Sequence, residues 1–206
     1  MSTRFDNRSV STFKKDIYFA TKLEKYFFTE WLERVKSGSC DLDVTEWSDN
    51  GCGNDGEFIA KGNTAGADYK ISGTIGGSSG LDAQLTDEPL EIKWVPTAGK
   101  FTLKENDLKA YVREQASILF IYNSVRCGTD MRKPKDYDFE RHIQLVESKS
   151  QQIKWGIMWS PKVKEFYNYA KENNLFRPIN YMGGKSGVVL TQSEFPRWFK
   201  EEDWME

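Results

Sequence analysis

Gly80-Leu81-Asp82-Ala83-Gln84-Leu85-Thr86-Asp87-Glu88-Pro89-Leu90-Glu91-Ile92-Lys93-Trp94-Val95 is the stretch that decides how this chain is read. Its second half alternates as a strand does, with Leu90, Ile92 and Trp94 on one face and Glu91 and Lys93 on the other. Asp87-Glu88-Pro89 reads as a turn, so the spacing predicts a hairpin that returns Asp82 beside Glu91 (91 − 82 = 9). Two carboxylates with an amine next to them suit a hard divalent cation and a water. The plainer alternative is a hairpin whose polar face is simply solvated.

An acid-x-Lys triplet alone carries little information. It occurs at Asp68-Tyr69-Lys70, Glu91-Ile92-Lys93, Asp107-Leu108-Lys109 and Glu147-Ser148-Lys149. The last two fall in helical patterns, where residues two apart do not share a face. Glu91-Ile92-Lys93 is flanked by Leu90, Trp94 and Val95, as a buried strand is. Asp68-Tyr69-Lys70 ranks second, because no acid precedes it on an apolar strand.

Downstream, Thr102-Leu103-Lys104-Glu105 reads as a capping box opening a helix over about 103–115, with Leu108, Tyr111, Val112 and Gln115 on one face. Lys104, near the mouth of that helix, reads first as an exposed lysine. The run Ser117-Ile118-Leu119-Phe120-Ile121-Tyr122 predicts a central strand covered on both faces. Upstream, residues 12–36 form a long helical pattern with a stripe of Phe13, Ile17, Ala20, Phe27, Trp31 and Val35. At about 100° per residue, Glu24 falls within about 20° of Phe13. A carboxylate inside an apolar stripe is costly unless it is paired or bound to a metal, so Glu24 is either a salt-bridge partner or part of a site.

The acid Asp82, the triplet Glu91-Ile92-Lys93 and the order strand, strand, helix, strand together resemble the PD-(D/E)XK nuclease superfamily. A leucine, Leu81, stands where that family places its proline. The resemblance spans roughly residues 12–124. It implies an α/β fold, a mixed central β-sheet flanked by helices in the restriction-endonuclease-like manner. Residues 1–206 are then one nuclease-like domain, with 125–206 as family-specific additions. It further implies Mg²⁺ or Mn²⁺ held by Asp82, Glu91 and the Ile92 carbonyl, with Lys93 beside the reacting phosphate. Many members carry a glutamate on an N-terminal helix that reaches the metal, and Glu24 is similar to that residue. The activity implied is metal-dependent hydrolysis of phosphodiesters in nucleic acid, with DNA favoured over RNA, and a homodimer is compatible with it. Two other readings stay open: a non-catalytic nucleic-acid-binding or assembly protein on the same fold, and a protein-interaction domain unrelated to nucleic acid.

Composition narrows the alternatives. The 206 residues suffice for one substantial core. Charge is balanced, 29 Lys and Arg against 31 Asp and Glu, so a basic surface does not by itself argue for nucleic acid. Two local groups, Arg4-Arg8-Lys14-Lys15 and Arg126-Arg132-Lys133-Lys135, are either phosphate contacts or solvated loops. The three cysteines, Cys40, Cys52 and Cys127, lack metal-knuckle spacing, and their odd number fits a reducing compartment. With no signal-like or membrane-spanning run, an intracellular, cytoplasmic location without membrane attachment is expected.

His142 is the only histidine, which argues against Ser-His-Asp hydrolases and histidine-rich zinc sites; it reads as a surface residue of a helix over 138–153. Gly183-Gly184-Lys185-Ser186 is not a phosphate loop, since Ile179 stands where that motif requires glycine and a strand follows. The remaining pattern predicts a strand at 154–159, a helix capped at Ser160-Pro161, a hairpin of 178–182 with 187–191, and an aromatic tail that packs by its tryptophans or serves a partner.

Overall fold

The computed structural model describes residues 10–37, 41–50, 66–76, 83–96, 100–125, 131, 134–179 and 185–204. The fold is α/β. Helix α1 (Val10–Lys36) precedes three antiparallel strands, β1 (Leu42–Asp49), β2 (Tyr69–Ile75) and β3 (Ala83–Val95). A short strand β4 (Lys100–Lys104) and helix α2 (Glu105–Glu114) then cross over to β5 (Ser117–Asn123), which runs parallel to β3. The rest comprises α3 (Phe139–Glu147), β6 (Ile153–Met158), α4 (Ser160–Glu172), β7 (Arg177–Ile179), β8 (Lys185–Thr191), α5 (Phe195–Trp198) and β9 (Glu202–Asp203). The main sheet has the order β1-β2-β3-β5-β6-β9, and a second has β4-β8-β7. Among the described residues no helix is long and apolar enough to cross a membrane.

Strand β5 separates two cores. Its residues are buried throughout, and alternation sends Leu119 and Ile121 to one side, Ile118, Phe120 and Tyr122 to the other. On the first side α1 lays down Phe19, Leu23, Phe27, Trp31 and Val35 against Leu90 and Ile92 of β3. On the second, α2 and α4 bring Leu108, Tyr111, Val163 and Phe166. The buried stripe of α1 includes Phe28 and Leu32 and leaves Ala20 exposed. It is therefore rotated from the expected one, and Glu24 lies one turn before Phe28 within it. Residues beyond 124 are integral to this packing. Strand β6 pairs with β5, and Phe195, Trp198, Phe199 and Trp204 of the tail are all buried.

Three local expectations are corrected. Residues 83–95 form one continuous strand, not a hairpin. Thr86 and Asp87 instead make a bulge opposite Ser72, where the register against β2 slips. Asp87 takes a positive φ of 49°, tolerable for aspartate, and its N–H donates to Ser72 Oγ at 3.1 Å. Secondly, Thr102 and Leu103 belong to β4, paired with β8, so α2 starts at Glu105 with Lys104 at its N-cap. Sheet pairing outweighs the capping-box pattern there. Thirdly, His142 is 2% exposed, with its ring 5.3 Å from that of Phe19. It is a core residue where α3 meets α1. The three cysteines, Arg4, Arg8, Arg126, Arg132 and Lys133 lie outside the described residues.

Candidate functional site

Sheet geometry opens a gap beside the acid-x-Lys triplet. Strand β2 begins at Tyr69, opposite Leu90, whereas β3 continues to Val95 along β5. Among the described residues, 91–95 thus have a strand on one side only. Asp68, immediately before β2, lies at the corner of this gap. Its carboxylate accepts the Ile92 N–H at 3.2 Å. A strand residue points its N–H and C=O to the same side, so the Ile92 carbonyl also faces the gap.

The segment bearing Asp68 is anchored from both flanks. Ala67 N–H donates to Glu114 Oε2 of α2 at 3.3 Å, and Asn50 Nδ2 donates to the Ala67 carbonyl at 3.0 Å. Asn50 N–H further donates to the Asp68 carbonyl at 3.0 Å. These bonds hold the turn into β2 without using the Asp68 carboxylate.

Glu91 and Lys93 share the face turned toward α2. Glu91 is 5% exposed. Its Oε1 receives the Lys93 ammonium and the Tyr111 hydroxyl at 2.7 Å. Its Oε2 is buried with no donor among the described residues, although the carboxyls of Asp68 and Glu91 come within hydrogen-bonding reach of each other. Two carboxylates that close require a proton or a cation between them. Lys93 is 28% exposed at its side chain, and its ammonium lies 5.7 Å from the Tyr111 ring centre.

Glu24 reaches the same group from α1. Burial raises it to about 7, with Lys93 opposing and Glu91 adding to the rise. Burial likewise raises Glu91 to about 7, against the pull of Lys93 and with repulsion from Asp68. Asp68 rises to about 6 through burial and the charge of Glu24, offset by Lys93 and the Ile92 amide. For Lys93, burial works against the charge, but Glu91, Tyr111, Asp68 and Glu24 outweigh it and hold the amine well above its ordinary range. It is a fixed cation among three carboxylates whose charges it cannot balance alone.

The site therefore contains Glu24, Asp68, Glu91, Lys93 and Tyr111. Asp82 lies outside the described residues. Its neighbour Ala83 pairs with Ile75, at the opposite end of β2 from Asp68 and about 25 Å along β3 from Glu91. The hairpin that was to join Asp82 to Glu91 is absent, and Asp68 supplies the second carboxylate instead. The sequence signal for Asp68 was present in the rival triplet. Asp68 is the acid upstream of Glu91, 23 residues earlier (91 − 68 = 23), rather than the head of a separate motif. Tyr111 was legible only as an apolar-face residue, though a buried phenol requires a partner. Lys104 is paired with Asp107 at 3.2 Å.

All the candidate donors are oxygens, the set that hard cations prefer. Among the described residues, no three or more histidine, cysteine, aspartate or glutamate side chains are grouped so that they could hold a metal ion. In comparisons with family models, curated proteins and solved structures, nothing matches this chain.

Proposed function

We propose that this chain is a metal-dependent nuclease of the PD-(D/E)XK type, hydrolysing phosphodiester bonds in nucleic acid, DNA in the first instance. The observation that carries the reading is the buried Glu91 carboxyl, whose Oε2 has no donor among the described residues and which has the Asp68 carboxyl beside it. A cation held between the two carboxyls would offset their repulsion. In the main sheet and its helices the order helix, three antiparallel strands, helix, parallel strand supports it, with β4 of the second sheet interposed before the second helix. An acid stands before the second strand and acid-x-Lys on the third. Asp68, Glu91 and the Ile92 carbonyl would hold Mg²⁺ or Mn²⁺, and the bound ion would polarise the phosphate and acidify a water.

The residues divide the remaining work by charge. Lys93, held cationic, cannot take a proton from water; it orients the phosphate and stabilises charge that develops on its oxygens. Glu24, brought to about 7, is tuned for accepting the water's proton near neutrality. Tyr111 and Lys93 together fix Glu91 Oε1 and leave Oε2 to other partners.

Cleavage of linear and circular, single- and double-stranded DNA, with Mg²⁺, Mn²⁺ or chelator, tests the reading. Metal-dependent cutting is expected, abolished by Asp68→Ala, Glu91→Ala and Lys93→Ala but retained by Asp82→Ala. Loss in Asp82→Ala with full activity in Asp68→Ala would overturn the site. Absence of cutting by a folded wild type on DNA and on an RNA counterpart favours the non-catalytic binding protein, a reading consistent with Glu91 being held by Lys93 and Tyr111.

A further inference from the structure

Building on the nuclease reading, we propose that the cavity between α1 and the end of β3 seats one unpaired base, that of the nucleotide next to the scissile phosphate. The cavity has a volume of about 170 Å³, and its wall includes Phe19, Leu23, Glu24, Trp94 and Pro96. An apolar cavity of about 150 Å³ accepts a benzene ring, so this one admits a single planar ring system. Glu24 belongs both to this wall and to the carboxylate group, which places the cavity beside the reaction centre. Trp94 follows Lys93 directly and projects to the opposite face of β3. Phe27 stacks on its ring at 4.1 Å, while Trp94 itself stays partly exposed. One face is thus backed by the core, and the partly exposed ring belongs to the cavity wall, a supported platform for stacking.

The polar groups of the wall decide what kind of group enters. Among the described residues they are those of Asp16 and Glu24. Carboxylates repel a phosphate but accept hydrogen bonds from the amines and ring N–H groups of a base. Asp16 is oriented by the Tyr137 hydroxyl at 2.6 Å. A base inside a duplex cannot enter a space between a helix and a strand without leaving its partner. The substrate class that follows is single-stranded nucleic acid, or a duplex frayed at the cut.

The test uses a single-stranded oligodeoxynucleotide, its fully paired counterpart, and versions with an abasic position beside the cut, on wild type and Trp94→Leu with Mg²⁺. Wild type should cut the single strand about tenfold faster in kcat/KM than the duplex. The abasic position should lower that rate about tenfold in wild type and little in Trp94→Leu, in line with the strength of base–aromatic stacking. Equal rates on single strand and duplex, or the same abasic effect in both proteins, overturn the proposal. A second readout does not depend on cleavage. 2-Aminopurine at that position should be quenched on binding Glu91→Ala and remain bright with Glu91→Ala/Trp94→Leu. Failure of the nuclease reading shows separately, as cutting that Glu91→Ala retains or wild type lacks. Unquenched 2-aminopurine on bound Glu91→Ala overturns the cavity assignment alone.

Discussion

At the residue scale the site depends on how Glu91 distributes its two oxygens. Oε1 takes both the Lys93 ammonium and the Tyr111 hydroxyl, and burial keeps that phenol protonated, far above its ordinary range. Tyr111 therefore keeps the proton it donates to Glu91, and is a positioning residue. Removing its hydroxyl leaves the ring in the core beside Leu108 and frees the carboxylate to rotate away from the gap. A hydrogen bond to a charged group contributes about 1.5–3 kcal/mol. Tyr111→Phe should accordingly raise the Mg²⁺ concentration for half-maximal activity by about tenfold, with kcat at saturating metal much less affected. Titrating activity against Mg²⁺ checks this; an unchanged half-saturation point removes Tyr111 from the site.

At the element scale the site is an end effect of the sheet. It exists because β2 begins two residues short of Ile92 while β3 runs on, and because β1 and β2 hold the corner in register. Gly73 is essential to that register. A methyl group there would overlap the Asp43 carbonyl of β1, and backbone cannot yield as a flexible side chain does. Gly73→Ala should destabilise the fold by about 2 kcal/mol or more, read as a shift in the urea midpoint. Wild-type stability would show that the strands separate there at little cost. The same region explains what the sequence could and could not disclose. Leu90 to Val95 and Ser117 to Tyr122 were legible because alternation and unbroken apolarity report burial directly. The bulge at Thr86-Asp87 was not, since Asp-Glu-Pro looks alike in a turn and in a bulge. Reading it as a turn moved the second acid from Asp68 to Asp82. Glu24 was legible as a charge within an apolar stripe, even though the stripe itself is rotated. His142 was misread because a nine-residue helix between two packed elements buries more of its circumference than a surface helix does.

For the whole molecule, the three raised carboxylates link stability to pH and to metal. Asp68, Glu24 and Glu91 start from ordinary values of 3.8, 4.5 and 4.5 and rise to about 6, 7 and 7 in the fold. Between about pH 4 and 7 the folded chain therefore holds more protons than the unfolded one, and stability falls as pH rises through that window. Their contribution is complete below the unfolded values and lost once the folded groups ionise. Shifts of this size correspond to about 1.4 kcal/mol per unit, and shared repulsion makes them less than additive. A net cost of about 2 kcal/mol between pH 5 and 8 corresponds to about 5 °C in a chain of this length. His142 acts in the opposite sense. Burial lowers its pKa, so it favours the fold more once pH exceeds its unfolded value, and His142→Gln separates its part from that of the acids. On the proposed reading a divalent ion would replace the protons that the acids lose. The metal-free chain should therefore melt about 5 °C lower at pH 8 than at pH 5. Millimolar Mg²⁺ or Mn²⁺ should recover that loss at pH 8 and do little at pH 5, where protons compete for the same oxygens. Glu91→Gln should flatten the pH dependence and abolish the response to metal. A thermal scan with the opposite slope, or stabilisation by metal that persists in Glu91→Gln, would separate the carboxylate group from any role in holding a cation.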